Sequence, residues 1–178
     1  MPPTSSISQQ SSVTNDDFIK IIEPIDIAPI LEYYHSIESE IKWTDYGKKG
    51  KQAGIQYLSG QDPWSGAVGR SQGRELEYDQ LNPYFSGTIF EQLINRYNFK
   101  RTRLIWVGSM SCYSMHVDST PRVHIPLITN SDCYFVFKNL VPVHLAHGSV
   151  WYTNTILPHT FINCSEHPRL HLVGAIEK

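Results

Sequence analysis

The sequence predicts a mainly β domain, a sandwich, barrel or jelly roll carrying helices on its N-terminal side, and three observations lead there. Beyond Lys100 the chain falls into short runs rich in β-branched and aromatic residues, at 101–107, 109–115, 122–128, 133–137, 150–154, 159–163 and 169–176. Turn-forming clusters such as Thr129-Asn130-Ser131-Asp132 and His147-Gly148-Ser149 punctuate them. The whole chain, 178 residues, suits one hydrophobic core without crosslinks. Strands this many and this closely spaced close on themselves or stack as two sheets.

Residues 1–16 are dominated by Ser, Gln, Thr and Pro, which bury too little apolar surface to offset the entropy of ordering. A disordered tail is expected there, followed by one domain over 17–178, with helices and substrate-side loops in 17–100 and the β core in 101–178. After Asp26, expected as an N-cap, Ile27, Ile30, Leu31, Tyr34 and Ile37 follow the i, i+3, i+4, i+7 spacing of an amphipathic helix. Ile89, Phe90, Leu93 and Ile94 mark a second helix over about 86–97. Between them, residues 43–83 mix Trp43, Tyr46, Tyr57, Trp64 and Tyr78 with seven glycines and show neither period, as functional or mobile segments do. Trp64 either closes over a substrate or anchors this long loop. Arg70 and Arg74 flank a Gly-rich turn and either meet an acidic substrate or stay solvated.

Charge excludes one class of partner. Fifteen Lys and Arg stand against 17 Asp and Glu, so there is no basic excess to neutralise a nucleic-acid backbone. No apolar run approaches the roughly 20 residues that span a bilayer, and the N-terminus lacks the basic and apolar regions of a secretory signal. No membrane partner and a cytoplasmic location are therefore expected. Cys112, Cys133 and Cys164 match neither a metal motif nor a disulfide framework and are expected as buried free thiols.

The chemistry lies in pairs at two-residue spacing. In an extended strand residues i and i+2 share a face, so His116 points with Asp118, Arg122 with His124, and Arg169 with His171. Val117, Val123, Leu170 and Leu172 face the other way. His116-x-Asp118 followed 43 residues later by His159 supplies two imidazoles and one carboxylate on one face of a metal, leaving adjacent positions open. Open positions suit iron(II) that takes a chelating co-substrate and then O2. Arg169, ten residues beyond His159, can grip the far carboxylate of such a chelator with its planar fork. The same residues leave two other readings open: a cupin-like hydrolase or isomerase using zinc or manganese, and a non-catalytic jelly-roll module whose histidines are structural.

Met115-His116-Val117-Asp118, Pro121-Arg122-Val123-His124-Ile125-Pro126-Leu127, His159 with Asn163, and Pro168-Arg169-Leu170 together resemble the aspartyl/asparaginyl β-hydroxylases, a family of 2-oxoglutarate oxygenases. The resemblance covers about residues 101–178 and implies a double-stranded β-helix core. It implies His116 and His159 as iron ligands, Arg169 as partner of the distal carboxylate of 2-oxoglutarate, and Arg122 and His124 near its other carboxylate. Some animal members lack a carboxylate at the position of Asp118, whereas this chain keeps it; related halogenases place a small residue there, so hydroxylation is the implied outcome. The implied reaction consumes Fe(II)-bound 2-oxoglutarate and O2, releases succinate and CO2, and hydroxylates an amino-acid or peptidyl substrate, with the β-carbon of Asp or Asn favoured.

Overall fold

The computed structural model describes residues 15–67, 74–138 and 140–178. Of the tail expected over 1–16, residues 1–14 lie outside the described residues, and Asn15–Asp17 form a 3-10 turn. Two sheets make the core. The larger is built from β1 (Ile19–Pro24), β2 (Thr44–Asp45), β3 (Gly50–Gly54), β6 (Lys100–Val107), β8 (Arg122–Ile128), β10 (Ser149–Thr153) and β12 (Arg169–Ala175), in the order β1-β10-β8-β12-β6-β3-β2. The smaller is β7 (Ser111–Cys112), β11 (His159–Asn163) and β9 (Cys133–Phe137), in the order β7-β11-β9. Between β3 and β6 a short hairpin-like pair, β4 (Gln56–Tyr57) and β5 (Gln80–Leu81), stands apart. Consecutive strands after Lys100 alternate between the two sheets, all pairings being antiparallel, and this winding is a double-stranded β-helix.

Each face of the larger sheet has its own cover. Leu104, Val123, Ile125, Leu127, Leu170 and Leu172 join Ile30, Tyr34, Phe85, Phe90 and Leu93 in one core, under helices α1 (Ala28–Ser36) and α2 (Ile89–Tyr97). Val107, Phe135, Phe137, Leu145 and Phe161 form a second core between the sheets. With helices behind and a sheet in front, β12 is buried at every residue and β8 at all but its last. That is why the polar members of the alternation, Arg122, His124, Arg169 and His171, end up inside rather than in water.

Local chemistry sets the helix ends. Asp26 stands outside α1 but its Oδ1 accepts from the Ala28 amide at 3.0 Å, so it serves the first turn from one residue further out than expected. The second helix starts at Ile89 rather than near 86, because Thr88 Oγ1 accepts from the Phe90 amide while Pro83–Phe85 form a separate 3-10 turn. It ends at Asn98 in the left-handed conformation (φ 50°). The segment 43–83 is less irregular than expected, since its glycines permit sheet contact: a Cβ on Gly50 (φ 122°) would lie 2.0 Å from the Trp106 carbonyl oxygen, where β3 runs beside β6. The strand expected at 109–115 shrinks to Ser111–Cys112. Of the cysteines only Cys133 is buried; Cys112 and Cys164 are exposed. Among the described residues no helix is long and apolar enough to cross a membrane.

Candidate metal centre

His116 lies beyond β7, outside any strand, and His159 opens β11; the two form an isolated bridge, exchanging backbone hydrogen bonds at 2.9 Å in each direction. This bridge brings the rings to 4.3 Å between centroids. Asp118 is held by its own amide, which donates to the Thr155 carbonyl at 2.8 Å. One ligand atom from each of His116, Asp118 and His159 then lies within 4.8 Å of the others. Asp118 Oδ2 is 3.7 Å from His159 Nε2.

Both imidazoles are oriented for ligation. His116 Nδ1 meets the Ser114 carbonyl at 2.8 Å and His159 Nδ1 meets the Leu157 carbonyl at 2.9 Å. A carbonyl oxygen only accepts, so each Nδ1 carries the hydrogen and each Nε2 presents a lone pair. Phe135 stacks flat on the His159 ring, 7° from parallel at 5.3 Å. Burial draws His159 toward its neutral form, against the opposing pull of the Leu157 carbonyl and Asp118. The donor set, two neutral imidazoles and one carboxylate, fits a divalent first-row metal with open positions.

The triad opens into a cavity of about 130 Å³ whose walls include Gln52, Arg103, Tyr113, Arg122, His124 and Arg169. Arg169 is buried, and among the described residues no carboxylate lies within ion-pair distance of it. Its Cζ rests 3.0 Å from the centroid of the Phe161 ring, Nη1 donates to His171 Nε2 at 2.8 Å, and Nε has no partner. Burial pulls its pKa down to about 9, which still leaves a cation at neutral pH. His124 and His171 are pushed well toward neutrality, by burial first and by the Arg169 charge second. His124 Nε2 is likewise buried without a partner. Two orphaned buried nitrogens beside the triad fit an anionic chelator such as 2-oxoglutarate.

Arg122 lines the cavity but its guanidinium is already engaged. It binds Glu75 and Thr120 and approaches Asp118 Oδ2 at 3.4 Å. Glu75 also takes Arg101 Nη1 at 2.8 Å, Ser119 Oγ at 2.7 Å and Thr120 Oγ1 at 2.8 Å. Its burial opposes ionisation, but the Arg122 charge and these hydrogen bonds outweigh that and hold the carboxyl well below the usual range. Glu75 is the group that sequence reasoning missed; the one available signal was demand, since several arginines destined for the sheet interior require a counter-ion. The substrate-side candidates fare differently. Trp64 is not on the cavity wall: it is buried against Tyr84 and Phe85, anchoring the loop in the helix-side core. Arg74 is also outside the cavity, paired with Glu77 on the surface at 2.9 Å. Arg70 lies outside the described residues. Asn163 braces the turn into β12, donating to Gly108 and His167 carbonyls at 2.9 and 2.8 Å.

Similar proteins bear on this site. The chain is 32% identical over 78 residues to an L-proline cis-4-hydroxylase of Rhizobium meliloti (strain 1021), a match over 40% of this chain and 28% of that protein, so it spans well under two thirds of that relative. Its fold is similar to a Burkholderia pseudomallei oxidoreductase of the 2OG-Fe(II) oxygenase family, with TM-score 0.59 and 17% identity over 83% of this chain and 77% of the other. It is also similar to HygX of Streptomyces hygroscopicus, solved with nickel, 2-oxoglutarate and hygromycin B, with TM-score 0.52 and 11% identity over 89% and 82% of the two chains. The sequence profile described as aspartyl/asparaginyl β-hydroxylase matches residues 32–178, a stretch that holds the triad, Arg169 and both sheets apart from β1, and on that match the chain belongs to the aspartyl/asparaginyl β-hydroxylase family.

Proposed function

We propose that residues 17–178 form one Fe(II)- and 2-oxoglutarate-dependent oxygenase domain that hydroxylates an amino-acid substrate. The observation that carries this reading is Arg169: a buried guanidinium with an orphaned Nε, on the same cavity wall as the triad and with no carboxylate of the described chain beside it. A zinc hydrolase or a structural module has no use for such a cation, whereas a dicarboxylate chelating the metal places its far end there. The relative named as a proline hydroxylase and the family's name favour an amino acid, free or within a peptide, hydroxylated at an unactivated carbon; for Asp or Asn that is the β-carbon.

His116, Asp118 and His159 would hold iron through two Nε2 atoms and a carboxylate oxygen. When bound, iron(II) with 2-oxoglutarate and O2 supplies the oxidation, one oxygen atom going to the substrate carbon as hydroxyl and the other into succinate, with CO2 released. The chain's own part is positioning. Arg169 pairs with the distal carboxylate, and the Phe161 face beneath the guanidinium keeps its plane in place. His124 Nε2 faces the co-substrate and donates to it in the tautomer in which His171 takes Arg169 on Nε2 and gives its Nδ1 hydrogen to His124 Nδ1. Arg122 steadies Asp118 from one side while Glu75 neutralises Arg122 from the other.

Anaerobic titration of iron-loaded protein with 2-oxoglutarate tests the reading. A visible charge-transfer band that saturates at one equivalent is expected. No band in protein carrying stoichiometric iron overturns the proposal.

A further inference from the structure

A second arginine in the same cavity has no carboxylate of the described residues within ion-pair distance. Arg103 on β6 donates from Nη1 to Gln52 Oε1 at 3.1 Å, and its Nε is buried without a partner. Gln52, on the neighbouring β3, and Tyr113 line the same cavity, so a cation, an amide and a phenol stand together on one wall. The two arginines flanking Arg103 differ from it: Arg101 and Arg122 each reach Glu75. Among the described residues Arg103 reaches no carboxylate within ion-pair distance. Burial and the charges of Arg101 and Arg122, partly offset by the more distant Glu75 and Asp118, lower its pKa to about 9, so it remains protonated at neutral pH.

Charge balance shows what is missing. With the buried cluster behind the wall included, four guanidiniums, Arg101, Arg103, Arg122 and Arg169, stand with two carboxylates, Glu75 and Asp118. A metal dication and an oxoglutarate dianion cancel each other and leave that excess standing. A buried cation that lacks a partner is costly, and sites that keep one do so for a ligand that brings the opposite charge.

We propose that Arg103, held by Gln52, binds a carboxylate of the substrate, so that the molecule hydroxylated here is a small carboxylic acid of the amino-acid class and not a compound that lacks a carboxylate. The inference rests on the oxygenase reading and adds to it the feature by which the substrate is chosen. The planar fork of Arg103 accepts a carboxylate through Nε and one Nη while the other Nη keeps Gln52.

The test uses full-length protein loaded with nickel in place of iron and saturated with 2-oxoglutarate, so that Arg169 is occupied and nothing turns over. The common free L-amino acids, their carboxamides, and N-acetyl-L-aspartic acid α-amide, whose sole carboxylate is on the side chain, are titrated calorimetrically into the wild type, Arg103→Gln and Arg103→Lys. At least one carboxylate ligand is expected to bind, with its amide and Arg103→Gln each weaker by about ten- to a hundredfold and Arg103→Lys intermediate. Binding of the free acid marks the α-carboxylate as the recognised group, and binding of the blocked aspartate alone marks a side-chain carboxylate; either supports the role of Arg103. Equal binding of acid and amide, unchanged binding by Arg103→Gln, or no binding by any carboxylate overturns it. The charge-transfer band of the iron-loaded proteins separates the two claims. A band in both wild type and Arg103→Gln, with no carboxylate selectivity, sinks this inference alone and also shows that the variant folds; no band in wild type sinks the oxygenase reading and this inference with it.

Discussion

Replacing Glu75 with Gln keeps the shape of the side chain and removes its charge, and the structure says what that costs. Glu75 and both guanidiniums it binds are almost fully buried, with side-chain exposures of 3% for Glu75, 6% for Arg101 and 3% for Arg122. Solvent screening is therefore small. Removing one partner of a buried ion pair destabilises by about 3–5 kcal/mol, because the other charges are left in a medium that solvates them poorly. For a chain of this size each kcal/mol lowers the melting temperature by about 2–4 °C, so Glu75→Gln should fall by about 6–20 °C. Differential scanning calorimetry of wild type and variant at pH 7 measures it. The acid limb gives an independent check. Glu75 has its pKa lowered on folding, so its contribution is fully present above the unfolded value of about 4.3 and is lost as pH falls toward the folded value. Wild-type stability should accordingly drop below about pH 4 more steeply than that of Glu75→Gln. A melting temperature within about 2 °C of wild type, with the same acid slope, would refute the buried-cluster argument.

The remaining expectations concern the site and its titration. His159→Ala should lose stoichiometric iron, because two ligands do not hold a labile divalent ion against water; metal analysis after gel filtration decides it, and retained iron removes His159 from the triad. Asp118→Ala should bind iron more weakly and leave Arg122 with Glu75 as its remaining anion; iron affinity equal to wild type would reduce the centre to two histidines. Arg169→Ala should weaken 2-oxoglutarate binding by about ten- to a hundredfold with the metal retained, and Arg169→Lys should recover part of it; an unchanged titration curve contradicts the role. His124 and His171 have lowered pKa values in the fold, so their contribution is present above the unfolded value of about 6.5 and lost below it. The urea midpoint should therefore decline as pH drops from about 7 to 5, and a flat midpoint over that window would mean these rings are not held neutral.

What was legible in the sequence is what depends on neighbours along the chain. Runs rich in β-branched and aromatic residues, bounded by turn formers, placed β8, β9, β11 and β12. Side chains two residues apart on a strand share a face wherever the strand goes, so the pairs Arg122 with His124 and Arg169 with His171 needed no tertiary information, whereas His116 and Asp118 lie past the end of β7 and are placed by the bridge to His159 and the carbonyl of Thr155. The glycine-rich segment 43–83 was opaque for the same reason. Its strands β2 to β5 are two to five residues long, too short to show a period, and Gly50 earns its place by a contact with a strand more than fifty residues away.

The partners of the buried charges belong to the tertiary structure alone. Nothing near Arg122 in sequence indicates that its counter-ion is Glu75, 47 residues earlier, or that Arg101 shares it. The same holds for Trp64, whose ring could equally have covered a substrate until the packing of Tyr84 and Phe85 put it in the helix-side core. By itself the sequence determined which side chains share a strand face, Arg122 with His124 and Arg169 with His171, because backbone geometry imposes that locally. Only the tertiary structure decided which of the buried arginines have a described carboxylate within ion-pair distance and which, Arg103 and Arg169, do not, because charge compensation depends on distances of a few ångströms between segments far apart in the chain.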